Sequence, residues 1–286
     1  MPDAPSPLDA AEQRARFARV RAILFDLDGV LTPTADVHMH AWQRLFEPFL
    51  DERGVAERYT EADYFAYIDG KQRYDGVRSL LESRGIHLPD GDVTDEPGDA
   101  TVAALGNRKN LTFNEVLADD GVAPYAGSLA FLDAAIAAGL QVAVVSSSRN
   151  ARPVLEAAGI ADRFDVVVDG VVAADESIAG KPSPDTYIRG AELLGLTPAE
   201  CVVVEDAHSG VQAGRAGDFG LVVGVDRGVG AAGLLESGAD FVVDDLATLI
   251  PYVRAAGATD TGATNTGATN TGATNTGATN TEEAGR

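Results

Sequence analysis

Apolar residues along this chain follow two patterns: short unbroken runs, and longer stretches in which they recur at helical spacing. The runs end abruptly in polar residues, as Ala22–Phe25 does at Asp26. Unbroken runs of Val, Ile and Leu indicate strands that are buried on both faces, as in a parallel sheet. The predicted strands are Ala22–Phe25, Gln141–Val145, Asp165–Val168, Cys201–Val204, Leu221–Val225 and Phe241–Val243.

Segments with helical spacing lie between the later strands. This alternation predicts a doubly wound α/β core, in which helices cover both faces of a parallel sheet. The predicted core helices are Ser128–Ala138, Asn150–Ala158, Pro184–Leu194, Ser209–Ala216 and Gly230–Glu236.

Residues 35–121 interrupt the alternation, because they have helical periodicity but no convincing strand. An all-helical insert after the first strand would lie over the carboxyl edge of the sheet, where α/β proteins bind ligands. We therefore predict a core formed by residues 16–34 and 122–255, with residues 35–121 as a helical cap that can act as a lid. The predicted cap helices are Val37–Leu50, Ala62–Ile68, Arg73–Arg84 and Asp99–Leu117.

The two ends of the chain differ from this middle part. Residues 1–15 are predicted to form a flexible arm. From Gly257 to Thr281 the chain repeats Gly-Ala-Thr-Asp/Asn-Thr, and these small side chains cannot bury enough apolar area to offset chain entropy. We therefore predict that residues 256–286 form a disordered tail.

The charge of the chain limits its partners. The formal net charge is −22 and the pI is near 4.4, so nucleic acid and anionic membranes are unfavourable partners. The first residues lack the basic and apolar regions of a signal peptide, and no run approaches the ~18 apolar residues that a membrane span needs. We expect a cytoplasmic protein that acts as a monomer on a small molecule.

Chemically useful side chains follow several of the predicted strands or precede their helices. Two acidic pairs leave buried strands, a serine follows the second strand, and a lone lysine precedes a helix that starts with prolines. Each feature alone also has a purely structural explanation, such as a helix cap or a surface charge. Together they fit a metal-bound phosphate that is transferred to an aspartate. The residues are Asp26, Asp28, Ser146, Lys181, Glu205 and Asp206.

In their order along the chain, these residues resemble the four motifs of the haloacid dehalogenase (HAD) superfamily. The resemblance implies that Asp26 is the nucleophile, which becomes an aspartyl phosphate, and that Asp28 is the general acid and base. It also implies that Ser146 and Lys181 bind the phosphoryl oxygens. The implied cofactor is Mg²⁺, with ligands from Asp26, the backbone carbonyl of Asp28, Glu205 and Asp206.

Several short stretches are similar to those of the β-phosphoglucomutase family, namely Thr34–His38, Ala41–Trp42, Asp69–Arg73, Arg108–Asn110 and Ser146–Asn150. The resemblance implies a sugar phosphate as substrate, with Arg73 as the clamp for the phosphate that does not react. Pro33, Asp69 and Gly76 differ from residues common in that family and bear on which sugar is bound. The residues that the resemblance assigns to substrate binding are Thr34, His38, Trp42, Gly70, Arg73, Lys109, Ser148 and Asn150.

Two reactions fit these features. A sugar-phosphate mutase passes the phosphoryl group from one hydroxyl to another, whereas a sugar-phosphate phosphatase passes it to water. The sequence hardly separates them, because the difference depends on whether the closed cap excludes water. Arg73 together with Lys109 favours the mutase. A dehalogenase is less favoured, since halide displacement gives Glu205 and Asp206 no purpose, and a receiver domain would carry its acceptor aspartate on a later strand.

Overall fold

A single parallel sheet forms the centre of the molecule in the computed structural model, which describes residues 8–68 and 73–253. The strand order across the sheet is β3-β2-β1-β4-β5-β6, and each neighbouring pair is parallel. This confirms the predicted doubly wound α/β core. The strands are β1 (Ala22–Phe25), β2 (Gln141–Val145), β3 (Val166–Val168), β4 (Cys201–Glu205), β5 (Leu221–Val225) and β6 (Phe241–Val243).

The sheet is buried on both faces. Successive side chains of a strand point to opposite faces, so Ile23 and Phe25 pack in one apolar cluster while Ala22 and Leu24 pack in another. The helices that cover the sheet are α1 (Ala10–Phe17), α6 (Ala126–Ala137), α7 (Ala151–Ala157), α8 (Gly170–Asp175), α9 (Asp185–Leu193), α10 (His208–Ala216) and α11 (Ala231–Glu236).

The insert after β1 is an all-helical cap with an apolar core of its own, centred on Trp42, Phe46 and Phe49. The lower ends of its two longest helices pack into the main core through Val37 and Phe113. The cap elements are α2 (Thr34–Glu52), α3 (Glu61–Asp63), a π-helix (Tyr64–Ile68), α4 (Arg73–Ser83) and α5 (Val102–Asp120).

The N-terminal prediction is wrong in its second half, because α1 begins at Ala10 and is ordered. Asp9 caps the helix by accepting from the backbone N–H of Glu12, whose side chain in turn accepts from the N–H of Asp9. Phe17 at the other end is fully buried. Residues 1–7, Gly70 and the predicted tail lie outside the described residues. Within those residues, no helix is long and apolar enough to cross a membrane.

Candidate active site

The predicted chemical residues meet at the carboxyl edge of the sheet. Asp26 directly follows β1, and its N–H donates to the carbonyl of Val204 on β4 at 2.9 Å. Ser146 follows β2, and its N–H donates to the carbonyl of Val168 at 3.0 Å. Because β1 lies between β2 and β4, both flanking loops face Asp26.

Asp28 lies in the turn after β1. The chain turns at Gly29, which has a φ of +82° that other residues adopt at a cost. The Thr34 hydroxyl, at the start of α2, donates to the Asp28 carboxylate. Ser146 Oγ is 3.5 Å from its other oxygen. Asp28 is therefore connected to both the cap and the core.

Lys181 is the cation at the centre of the acidic residues. Its Nζ donates to Asp26 Oδ1 at 2.5 Å, to Glu205 Oε1 at 2.7 Å and to the Val145 carbonyl at 2.9 Å. The lysine side chain is almost fully buried, so water screens these ion pairs little. Burial lowers the pKa of Lys181, but Asp26 and Glu205 raise it, and the net result is well above the ordinary value.

Glu205 is fully buried, and its carboxylate accepts hydrogen bonds from neighbouring side-chain and backbone groups. Besides Lys181, the Tyr187 hydroxyl lies 3.2 Å from Oε1, and the N–H of Ala207 donates to Oε2 at 2.9 Å. A Cβ on Gly210 would lie 1.6 Å from Oε1, so the glycine leaves the space that this carboxylate occupies. These contacts favour a role for Glu205 in holding Lys181, in addition to any contact with a metal.

The acidic residues are in an electrostatically unfavourable position without a further cation. Burial raises the pKa of Asp26 well above its usual range, although Lys181 opposes the shift. Burial and the nearby Glu205 raise the pKa of Asp206 to about 7. Burial also raises the pKa of Asp28, against the opposing hydrogen bond from Thr34.

The donor atoms fit a divalent cation. One carboxylate oxygen each from Asp26, Glu205 and Asp206 lies within 4.8 Å of the others. Mg²⁺ and other hard cations prefer such oxygen ligands, and a bound cation would offset the burial of these charges. The backbone also approaches closely, because a Cβ on Gly29 would lie 1.9 Å from Asp206 Oδ2.

The cap contributes a pair of basic side chains, of which Lys109 is buried and His38 is half-buried. Lys109 Nζ lies 2.7 Å from His38 Nδ1. Burial, and secondarily Arg73, lowers the pKa of Lys109 from 10.5 to about 7. Burial, and then Lys109, lowers the pKa of His38 well below 6.5. His38 lines a cavity of about 300 Å³ together with Asp26, Asp28 and Lys181.

A second, larger cavity of about 740 Å³ lies between cap and core and holds two arginines. Arg73 comes from the cap and Arg149 from the core, and the positive charge of Arg149 lowers the pKa of Arg73 after the larger effect of burial. Asn110 Oδ1 accepts from Arg73 Nη2 at 3.2 Å and from Asn150 Nδ2 at 2.9 Å. Asn110 thus connects the cap to the core beside the arginines.

Sequence reasoning missed Arg149, although it chose Ser148 and Asn150 on either side of it. The signal in the sequence was the position of Arg149 in the loop after β2, whereas the cavity that it shares with Arg73 is formed only by the folded chain. Ser148 is a turn residue here, since its Oγ accepts from the N–H of Asn150 at 3.1 Å. Trp42 lies in the cap core, where its ring faces Lys109 Nζ at 5.2 Å.

Comparison with known proteins places these features in a family. The model of the haloacid dehalogenase-like hydrolase family matches residues 20–218. A β-phosphoglucomutase of Mycobacterium tuberculosis is 54% identical over 245 residues, which cover 81% of this chain and 92% of the relative. A β-phosphoglucomutase of Bacillus subtilis is 32% identical and covers 72% of this chain and 84% of the relative.

Among solved structures, a HAD family hydrolase of Deinococcus radiodurans with bound phosphate and sodium is 28% identical, with a TM-score of 0.63. The match covers 84% of this chain and 97% of that one. Fold and site thus define a capped α/β phosphotransfer enzyme. The chain belongs to the haloacid dehalogenase-like hydrolase family, among its β-phosphoglucomutase-like members, which confirms the resemblance seen in the sequence.

Proposed function

We propose that this phosphotransferase is a Mg²⁺-dependent mutase that converts β-glucose 1-phosphate into glucose 6-phosphate through an aspartyl phosphate on Asp26. The names of the M. tuberculosis and B. subtilis relatives support this substrate. In such a reaction, phosphorylated Asp26 would pass its phosphoryl group to the free hydroxyl of the sugar monophosphate. The bisphosphorylated sugar formed in this way would then return its other phosphoryl group to Asp26 and leave as the second monophosphate.

The observation that carries the proposal is the pair of cavities between cap and core, each of which is lined by basic side chains. Lys181 lies beside Asp26 in one, while Arg73 and Arg149 line the other. In a chain of net charge −22, these local cations offset a field that repels phosphates. A mutase has to hold two phosphates on one sugar, one that reacts and one that does not, and planar guanidinium groups suit the second.

Asp26 is the proposed nucleophile because Lys181 can neutralise the repulsion between its carboxylate and a phosphate. The P–O bond to the sugar breaks as the bond to Asp26 Oδ forms. Lys181 Nζ is the proposed donor to a phosphoryl oxygen, for which it would exchange its hydrogen bond to Asp26 Oδ1 as charge develops there. The Ser146 hydroxyl and the backbone of Ser147 are the proposed further donors.

Asp28 is the proposed general acid and base. Its burial favours the protonated form, which can protonate the leaving oxygen of the sugar. The same carboxylate then accepts the proton of the hydroxyl that takes the phosphoryl group. Thr34 orients it through the hydrogen bond from the start of α2. His38 and Lys109 are proposed to contact the sugar from the cap side.

The proposed cation is Mg²⁺, held by the carboxylates of Asp26 and Asp206 and the backbone carbonyl of Asp28, with Glu205 beside them. When bound, it neutralises charge on the transferring phosphoryl group. Thr34, Trp42, Gly70, Ser148 and Asn150 complete the proposed substrate-binding set. Of these, Asn150 lines the larger cavity, and Trp42 faces Lys109 from the cap core without lining either cavity. Thr34, beside Asp28, and Ser148, in the turn after β2, likewise line neither cavity.

The decisive assay incubates the protein with β-glucose 1-phosphate, Mg²⁺ and a trace of the bisphosphorylated sugar. Accumulation of glucose 6-phosphate supports the mutase, whereas release of inorganic phosphate at the same rate would make the enzyme a sugar-phosphate phosphatase. The second outcome has a precedent in the hexitol phosphatase A of Escherichia coli, which is 32% identical over 202 residues.

Three variants separate chemistry from folding in this assay. Asp26→Asn should abolish turnover while the fold is retained. Asp28→Asn should lower kcat by about 10²- to 10⁴-fold, the range of general acid–base catalysis. Asp51→Asn, on the exposed side of α2, makes the same change of charge away from the site and should leave kcat unchanged. Full activity of Asp26→Asn would refute the proposed nucleophile.

A further inference from the structure

The turn that follows β1 is held by donors from outside it. We call residues 27–32 the nucleophile loop, because they follow Asp26 and include Asp28. Three successive carbonyls of this loop accept hydrogen bonds from other parts of the core. The bonds run from Arg227 Nε to Gly29 O at 2.9 Å, from Ser128 Oγ to Val30 O at 2.6 Å, and from Tyr125 N to Leu31 O at 2.9 Å.

Arg227 differs from the other two donors because it is a charged side chain that joins three segments. It follows β5, and its Nη1 donates to the Asp244 carbonyl at 3.0 Å after β6. Its guanidinium also lies over the Tyr125 ring, 3.9 Å from the ring centroid. A planar guanidinium can make all three contacts at once, which a lysine ammonium cannot do.

The carbonyl that Arg227 holds belongs to a residue that closely approaches one of the acidic side chains. Gly29 lies so close to Asp206 that a Cβ there would be 1.9 Å from Oδ2. Its N–H donates to the Thr32 carbonyl at 2.8 Å, so the peptide groups on both sides of Gly29 are fixed. A rotation of the Gly29–Val30 peptide would move the loop relative to Asp206, and with it the Asp28 backbone.

We propose that Arg227 is a positioning residue for phosphoryl transfer. By fixing the Gly29 carbonyl, it sets the separation between the nucleophile loop and Asp206, and therefore the geometry in which Asp26, Asp28 and Asp206 hold a cation. Arg227 lines neither of the two cavities described above, so it acts through the loop and not through contact with the substrate. The inference rests on the proposed function for its kinetic consequence and on the proposed cation site for its effect on Mg²⁺ binding.

The test compares Arg227→Met and Arg227→Lys with Arg215→Met. Methionine keeps an unbranched side chain over Tyr125 but loses both hydrogen bonds. Lysine keeps the positive charge but lacks the planar guanidinium group with its several N–H donors. Arg215 is the matched control, since its guanidinium holds the Gly238 carbonyl at 2.6 and 2.8 Å and Asp240 at 2.8 Å, away from the nucleophile loop. Both methionine variants therefore lose bonds to one carbonyl and to one further acceptor.

For Arg227→Met we expect kcat to fall about tenfold or more with KM for the sugar phosphate nearly unchanged, because misplacement of reacting groups costs rate. The Mg²⁺ concentration that gives half of the metal-dependent rise in Tm should increase by a similar factor. For Arg227→Lys, both kcat and the Mg²⁺ midpoint should lie between those of Arg227→Met and those of the wild type. Arg215→Met should lower Tm without changing kcat or the Mg²⁺ midpoint.

The inference is overturned if Arg227→Met behaves as Arg215→Met does, or if KM alone rises. Should Arg227→Met fail to fold, unchanged kcat and Mg²⁺ midpoint in Arg227→Lys overturn it equally. Hydrolysis of p-nitrophenyl phosphate and the Tm titration are measured in parallel, because neither needs a sugar. If the wild type fails on the sugar phosphate but responds to Mg²⁺, the proposed function has failed while Arg227 is still tested.

Discussion

Replacement of Lys109 by methionine should make the protein more stable and less active, with a gain in stability that depends on pH. The lysine is 3% exposed and is bonded to His38 rather than to a carboxylate. Burial and the charge of Arg73 therefore leave its ammonium form poorly compensated, and its pKa falls from 10.5 to about 7. Methionine has a similar length and carries no charge.

The magnitude follows from this pKa. At pH 6 the folded protein must keep Lys109 charged, which costs about 5 kcal/mol for a fall from 10.5 to about 7. At pH 9 the cost is that of removing the proton from a lysine of ordinary pKa, or about 2 kcal/mol. The unfolded state binds more protons between the two pKa values, so the stability of the wild type rises with pH across this window.

Methionine also removes contacts, namely the bond to His38 and the approach of the ammonium to the Trp42 and Phe113 rings. These losses amount to about 2 kcal/mol in total. The variant should therefore be more stable than the wild type by about 3 kcal/mol at pH 6. At pH 9 the gain should fall to about 1 kcal/mol, because the neutral lysine then has only its hydrogen bond to lose. Burial dominates the lowered pKa of His38, so this histidine should stay neutral in the variant.

Urea unfolding followed by tryptophan fluorescence provides the assay, because Trp42 is the single tryptophan and lies beside Lys109 in the cap. Its signal reports on the cap, and far-UV circular dichroism reports on the whole chain. An equal change in free energy of unfolding at pH 6 and pH 9 would refute the reasoning, as would destabilisation at pH 6. Activity with the sugar phosphate should fall, since the proposed contact is lost.

Two further predictions concern the nucleophile loop and the cap. Gly29→Ala should abolish activity, because the added Cβ would overlap Asp206. The control is Gly54→Ala, where φ is +67° and no atom from other described parts of the chain lies within 4 Å of the added Cβ; it should cost about 1 kcal/mol of stability and leave kcat unchanged. Asp63→Asn should cost about 3 kcal/mol in urea unfolding at pH 7, because the buried Arg84 would lose its partner at 2.8 Å and keep only the exposed Glu57, 3.6 Å away. Arg84 lowers the pKa of Asp63, although the burial of Asp63 opposes this shift. The cost of the substitution should therefore disappear as the pH falls through the lowered pKa of Asp63. A cost that is retained at low pH would contradict this explanation.

The sheet could be predicted from the sequence because its strands are unbroken apolar runs that end in polar residues. The acidic pairs and Lys181 could be predicted to meet for the same reason, since parallel strands end at one edge. Helix α1 was missed although Asp9 and Glu12 have the spacing of a capping box, and acidic and basic residues around it masked the signal.

Other features depend on tertiary contacts that spacing does not encode. The π-helix after α3 was predicted as part of an α-helix, because one extra residue per turn leaves the apolar pattern almost unchanged. Arg149 and Arg227 both follow strands, yet only the folded chain brings one to Arg73 and the other to Gly29. The low pKa of Lys109 likewise depends on burial between helices that are far apart in sequence.

The way the cap is rooted has a consequence for redesigning the enzyme. Helices α2 and α5 penetrate the main core through Val37 and Phe113, while α4 and the segment 84–101 contribute the outer wall of the larger cavity. Val77 and Leu80 of α4 pack with Phe46 in the cap core, so the exchangeable part of this wall is the segment 84–101. Exchanging this segment for the equivalent piece of another family member should alter the choice of sugar. Helices α2 and α5 should continue to attach the cap to the core in the same way.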